Sequence, residues 1–191
     1  MRDIDVRRVL AAEVQKHFRG ASDTLIIHEL GLCSGIVRVD LAVVNGRLHG
    51  FEIKSDSDTL KRLPSQSEIY SAVFDRMTIV VGLHHLQSAQ TMVPGWWGII
   101  KAEPGDPVSL VEVRPAQANP SPKPIAMARL LWRDEAVALL ERSGYAKGIK
   151  SKPREVVYQR LVEAFPLDEL RHFVREQLKA REDWRSDAQR M

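Results

Sequence analysis

The chain has 191 residues, 44% hydrophobic and 28% charged, with 28 Lys and Arg against 25 Asp and Glu. That length and balance suit one compact domain, or one with a small appendage, and exclude a disordered or fibrous chain. A net charge of +3 is mildly basic and compatible with nucleic acid, while one cysteine excludes an internal disulfide and a cysteine-rich zinc site.

Residues 4–18, IDVRRVLAAEVQKHF, place Val6, Val9, Leu10, Val14 and Phe18 at helical spacing. Charges every few residues deny this segment the apolar core of a secretory leader. No apolar run approaches the roughly 18 residues of a membrane span. A cytoplasmic location is the expectation.

TLIIHELGL (24–32) reads as a strand, rich in β-branched residues. GIVRVDLAVV and LHGFEIKS are two more, joined through Asn45-Gly46, a strong hairpin signal. PSQSEIYSAVFDRM (64–77) reads as a helix with Pro64 near its start and Ile69, Val73 and Phe74 on its apolar face. MTIVVGL (77–83) is a short apolar strand of the kind buried on both faces. A polar helical segment (84–92) and two strands, GWWGIIKA and PVSLVEVR, follow. The order α-β-β-β-α-β, with additions, predicts an α/β (α+β) fold with one mixed sheet flanked by helices.

The Pro-rich stretch 115–124 reads as a linker between an α/β domain (1–114) and a helical C-terminal region (125–191). That region divides into IAMARLLWRDEAVALLERSG, SKPREVVYQRLVEAF and LDELRHFVREQLKAREDW. Gly144 suits a C-cap, and Ser151 with Pro153 suits a helix start.

The central hairpin carries Asp40, Glu52 and Lys54 where half-buried strands usually hold apolar residues. A two-residue loop would set facing residue numbers to sum to 91 and would put the apolar sets on opposite faces. One more loop residue makes the sum 92. Leu41 then faces Phe51, Val39 faces Ile53, Asp40 faces Glu52 and Lys54 faces Arg38. Directly opposed carboxylates, with Cβ atoms about 5 Å apart, repel unless a proton or cation lies between them. A hard divalent cation held by oxygens suits that position. Asp40, Glu52, the Ile53 backbone carbonyl and waters would complete a magnesium site, with manganese as a substitute. Lys54, on the same face, could orient a water or steady developing negative charge. The alternative is a salt-bridged cluster on a solvated sheet face.

Asp40 followed by Glu52-Ile53-Lys54 resembles the D…(D/E)-x-K signature of the PD-(D/E)XK nuclease superfamily, and the element order resembles its restriction-endonuclease-like core over residues 1–83. Val39 stands where the signature has proline. The resemblance implies a magnesium-dependent deoxyribonuclease, with Asp40 and Glu52 on the metal and Lys54 on the water. Gln66 and Tyr70, a Q-x-x-x-Y pair one turn apart, resemble the supporting motif of the RecB-like branch. The family's further acidic residue corresponds to Glu13 on the first helix or Glu29 on the first strand. The alternative is a non-catalytic nucleic-acid-binding or protein-interaction module on the same fold.

Arg38, Lys61 and Arg62 near the hairpin, and Lys150 and Lys152 in YAKGIKSKPR, are candidate contacts to a DNA backbone. The helical region is expected to bind substrate, a second copy of the chain, or a partner protein. His84-His85 reads as a turn, Trp96-Trp97 as core packing, and Cys33 as inert.

Overall fold

The computed structural model describes residues 2–181. Helix α1 (Asp3–His17) precedes strands β1 (Leu25–Leu32), β2 (Val37–Val44) and β3 (Leu48–Lys54). Helix α2 (Leu63–Val73) leads to β4 (Arg76–Gly82), then α3 (Leu86–Met92), β5 (Gly98–Glu103) and β6 (Ser109–Arg114). Helices α4 (Pro124–Ala128), α5 (Arg133–Arg142), α6 (Arg154–Ala164) and α7 (Leu167–Ala180) follow. The six strands form one sheet in sequence order. Pairing is antiparallel from β1 to β3, parallel from β3 through β5, and antiparallel again at β6. The fold is therefore mixed α+β: a six-stranded mixed sheet flanked by helices, with a helical C-terminal region.

Each face of the sheet has its own core. Val6, Leu10 and Val14 recur every fourth residue on α1 and pack on Leu41, Val43, Phe51, Ile53 and Val80. Leu10 is almost fully buried, so its truncation to alanine costs about 2–5 kcal/mol. The opposite face is covered by α2 and the C-terminal helices, and Tyr70, Phe74, Trp97, Met127, Leu140 and Leu161 lie in one continuous buried cluster with it. The apolar run of β4 is explained by this: Ile79 and Val81 serve one face and Val80 the other.

The β2–β3 register is the one with Leu41 opposite Phe51 and Val44 opposite Leu48, around a three-residue loop. One expected neighbour is lost. Val39 pairs with Leu30 and joins the α2-side core, whereas Ile53 lies under α1, so these two do not share a face. The alternation of β1 also changes phase. Ile27 and Leu30, three apart, both belong to the α2-side core, and between them Glu29 adopts φ 55°. A single left-handed residue on a strand shifts which side chains point to each face.

Helix α2 differs from the apolar face expected for it. Its buried side is formed by Leu63, Gln66, Ser67, Tyr70 and Val73, while Ile69 is only partly buried. The segment 125–144 is two helices rather than one. The Trp132 N–H donates to Glu135 Oε2 at 2.7 Å, which starts α5 afresh, and Arg181 holds that carboxylate at 2.6 Å. The Pro-rich segment lies along the body. The N–H groups of Gln117, Asn119 and Lys123 donate to the carbonyls of Trp96, Asp75 and Ala72. Asn119 Nδ2 also donates to the Ser71 and Phe74 carbonyls at 2.7 and 2.8 Å.

Candidate active site

Three neighbouring strands bring three acids to one level. Pairs His28–Leu41 and Leu30–Val39 bracket Glu29 and Asp40 across β1 and β2. Pair Leu41–Phe51 is followed one step on by Asp40 and Glu52. The β1–β2 ladder skips the Glu29–Asp40 pair and the β2–β3 ladder stops short of Asp40 and Glu52, while Glu52 keeps its pairing with Ile79 of β4. Glu29 takes the left-handed conformation, which costs a non-glycine residue roughly 1–3 kcal/mol.

Asp40 uses its carboxylate in place of a backbone pairing. Oδ2 accepts the Ile53 N–H at 2.7 Å, and Oδ1 accepts from Arg7 Nη2 at 2.5 Å. Burial, then the charge of Glu52, push the Asp40 carboxyl up to about 7, against the opposing pull of Arg7 and the Ile53 N–H. Asp40 and Glu52 are thus brought together as mutually repelling groups.

Glu52 is 2% exposed and ringed by donors. Lys54 Nζ donates to Oε1 at 2.5 Å and Gln66 Nε2 to the same oxygen at 2.7 Å. The Tyr70 hydroxyl lies 2.8 Å from Oε2 and 2.7 Å from the Arg38 carbonyl. Its one proton serves two acceptors. Burial and the charge of Glu52 raise the Tyr70 phenol further above its ordinary value, so it stays protonated. Gln66 and Tyr70 reach Glu52 together because residues four apart share a helix face. Gln66 Oε1 is buried with no hydrogen-bond partner, an acceptor left open beside the carboxylate.

Arg7 was not among the candidates read from the sequence. From α1 it donates to Glu29 Oε1 at 2.6 Å and to Asp40, and its Nε lies 3.3 Å from Asp3 Oδ2. The one available signal was its four-residue spacing from Asp3. Four carboxylates (Asp3, Glu29, Asp40 and Glu52) therefore share two cations, Arg7 and Lys54.

The other candidates lie around or away from this centre. Glu13 is exposed on α1, and none of the site's groups is bonded to it. Arg38 is exposed and meets the site through its carbonyl; Lys54 is bonded to Glu52 rather than set against Arg38. Lys61 and Arg62 are exposed just before α2, the helix that delivers Gln66 and Tyr70. Lys150 pairs with Glu141, and the carbonyls of Lys150 and Lys152 accept from Arg133, so both lie in the α5–α6 loop of the helical layer. His84 and His85 form a short 3₁₀ turn after β4, where His84 Nδ1 lies 3.2 Å from Asp56 Oδ1. Trp97 is fully buried. Among the described residues no group of three or more His, Cys, Asp or Glu is arranged to hold a metal ion. The oxygens a cation could use here are those of Asp40 and Glu52, with the Ile53 carbonyl between Glu52 and Lys54 in the chain. No helix among the described residues is long and apolar enough to cross a membrane.

The family model for bacteriophage P4 protein cII matches residues 7–189, and the chain belongs to that family. Over 59 residues it is 49% identical to protein cII of Enterobacteria phage P4. That match takes up 31% of this chain and 22% of the phage protein, so the similarity spans about a fifth of that relative. A solved structure, the SPO1766 protein of unknown function from Silicibacter pomeroyi, superposes with a TM-score of 0.43 at 18% identity, over 75% of this chain and 92% of that one.

Proposed function

We propose that this member of the bacteriophage P4 protein cII family is a magnesium-dependent nuclease that hydrolyses phosphodiester bonds of DNA. One observation carries the reading: the buried Glu52 and the largely buried Asp40 form a mutually repelling pair, with the Lys54 ammonium bonded to Glu52. A purely structural role gives no reason to bury two carboxylates against each other.

The donor set fits a divalent cation. Both acids offer hard oxygens, their repulsion is what a cation relieves, and the buried Gln66 Oε1 lacks a partner. Asp40 and Glu52 would hold it, with the Ile53 carbonyl. Bound magnesium, or manganese in its place, supplies Lewis-acid polarisation of a phosphate oxygen and a more acidic water.

The chain's own residues do the rest. Gln66 and Tyr70 lock the Glu52 rotamer through both its oxygens. Lys54, itself only 6% exposed, is tethered to Glu52 and would steady the negative charge that develops on the phosphate. Exposed Arg38, Lys61 and Arg62 lie on the elements bordering the site and hold the DNA backbone by charge. Lys150 and Lys152 extend that contact at the helical region.

The test is cleavage of linear, circular, branched and single-stranded DNA in Mg²⁺, Mn²⁺ or EDTA. Cutting that requires the metal and is lost in Lys54→Ala and Asp40→Asn is expected. Cutting that survives both substitutions overturns the mechanism. Metal-independent binding without cutting indicates the alternative, a nucleic-acid-binding module on the same fold.

A further inference from the structure

Arg7 makes contacts that the proposed chemistry does not call for. Its guanidinium bridges Asp40 Oδ1 and Glu29 Oε1 while Nε approaches Asp3. Each Asp40 oxygen carries one donor, the Ile53 N–H on Oδ2 and Arg7 on Oδ1, and of the two only the side-chain donor can move aside for a cation. The helix carrying Arg7 is fixed, since its neighbour Val6 is completely buried, yet the Arg7 side chain is 24% exposed. A guanidinium donor and a divalent cation on the same carboxylate oxygen repel each other and compete for one position.

We propose that Arg7 is a resident counter-ion that a divalent cation must displace from Asp40, and that Glu29 and Asp3 are the acids that retain it when displaced. This rests on the metal-site reading above. It gives Glu29 a role distinct from that of a metal ligand: Glu29 acts through Arg7. Two observations support the assignment. Glu29, held in the left-handed region, lies level with Asp40 on the neighbouring strand. Arg7 contacts three carboxylates, so loss of one leaves it two partners.

The experiment is Mn²⁺ binding to the full chain, followed by the electron paramagnetic resonance signal of free Mn²⁺. Wild type, Arg7→Gln, Glu29→Gln and the double variant are compared. Arg7→Gln is expected to bind Mn²⁺ at least about tenfold more tightly, since a charge-assisted bond no longer has to be broken. Glu29→Gln alone is expected to weaken binding, because Arg7 then has less to hold it away from Asp40. In the Arg7→Gln background Glu29→Gln is expected to change nothing. Unchanged or weaker binding in Arg7→Gln overturns the proposal. A further loss from Glu29→Gln in that background makes Glu29 a ligand and overturns its assigned role. Should Arg7→Gln fail to fold, Arg7→Lys, which keeps a cation but loses the planar fork, is expected to tighten binding several-fold, and unchanged affinity refutes the idea. If wild type and every variant fail to bind millimolar Mn²⁺, the metal-site reading falls and the counter-ion role falls with it. Binding by wild type without the Arg7 effect removes the counter-ion role alone.

Discussion

Asp40→Asn is expected to make the metal-free protein more stable, in a pH-dependent way. The Asp40 carboxyl is raised from an ordinary 3.8 to about 7 by burial and by Glu52. A folded-state value above the unfolded one means that the fold favours the protonated acid. That stability is fully present below about pH 4 and is lost as pH rises through 7. At about 1.4 kcal/mol per pH unit, ionising Asp40 in the fold costs roughly 4 kcal/mol by pH 8 and under about 2 kcal/mol at pH 5. Asparagine imitates the neutral acid and keeps an oxygen for the Ile53 N–H, but gives up the acceptor for Arg7, a loss of about 1 kcal/mol. The variant should therefore gain about 3 kcal/mol at pH 8 and less than about 1 kcal/mol at pH 5. Urea unfolding in EDTA, followed by tryptophan fluorescence at both pH values, measures this. Added Mn²⁺ at about 1,000 times its Kd should reverse the order, since it stabilises wild type by about 4.1 kcal/mol and the variant lacks the site. A variant less stable than wild type at pH 8, or one whose advantage is equal at both pH values, refutes the electrostatic account.

Other substitutions probe the surroundings. Tyr70→Phe removes the hydroxyl between Glu52 Oε2 and the Arg38 carbonyl in a fully buried position, and should cost about 1–3 kcal/mol in urea unfolding, together with much of any cleavage activity. Gly82→Ala would place a Cβ 2.2 Å from Asp56 Oδ1 and 2.8 Å from the Asp56 backbone nitrogen, so the loop after β3 must move; a loss of about 1–3 kcal/mol is expected by thermal denaturation, and a neutral result would show that the loop yields easily. His49, bonded to Thr78 Oγ1 and stacked on Phe51, is held down to about 3 chiefly by burial. Its depressed value means that stability is present above about pH 6.5 and falls as the unfolded chain takes up a proton below it, by up to about 2 kcal/mol between pH 7 and 5. His49→Gln should flatten that acid limb, leaving the opposite slope from Asp40, and an unchanged limb would assign the acid sensitivity elsewhere.

The β2–β3 register was legible because period-two alternation tolerates no slip: only the three-residue loop gives Leu41 an apolar partner in Phe51. Gln66 and Tyr70 were legible because i and i+4 share a helix face in any helix. Val39 was misplaced because β2 changes phase at Asp40: Val39 and Leu41, two apart, lie in opposite cores, level with the left-handed Glu29 of β1, and no local pattern marks that break. Arg7 was invisible for a related reason. Beside an apolar stripe it reads as solvated charge, and its partners Glu29 and Asp40 lie 22 and 33 positions away. The break at Trp132 also depends on distance, since Arg181 holds Glu135 from 46 positions away.

The contrast between acids within the fold strengthens the reading of the site. Asp75 accepts the Leu48 N–H at 2.8 Å and faces Arg171 and Arg175, with Asp168 sharing Arg171, so two acids meet two cations. Glu135 accepts from the Trp132 N–H and is gripped by Arg181, a cation of its own. These are acids the fold uses to fasten the C-terminal helices, and their charge is fully answered. At Asp3, Glu29, Asp40 and Glu52 that balance is lost, with two cations for four acids. The same place holds the left-handed glutamate and the buried Gln66 Oε1 without a partner. Backbone strain, an open acceptor and unanswered negative charge each cost stability separately. Their coincidence in one place follows if the missing positive charge arrives with a ligand, and a divalent cation bringing a phosphodiester with it meets that requirement.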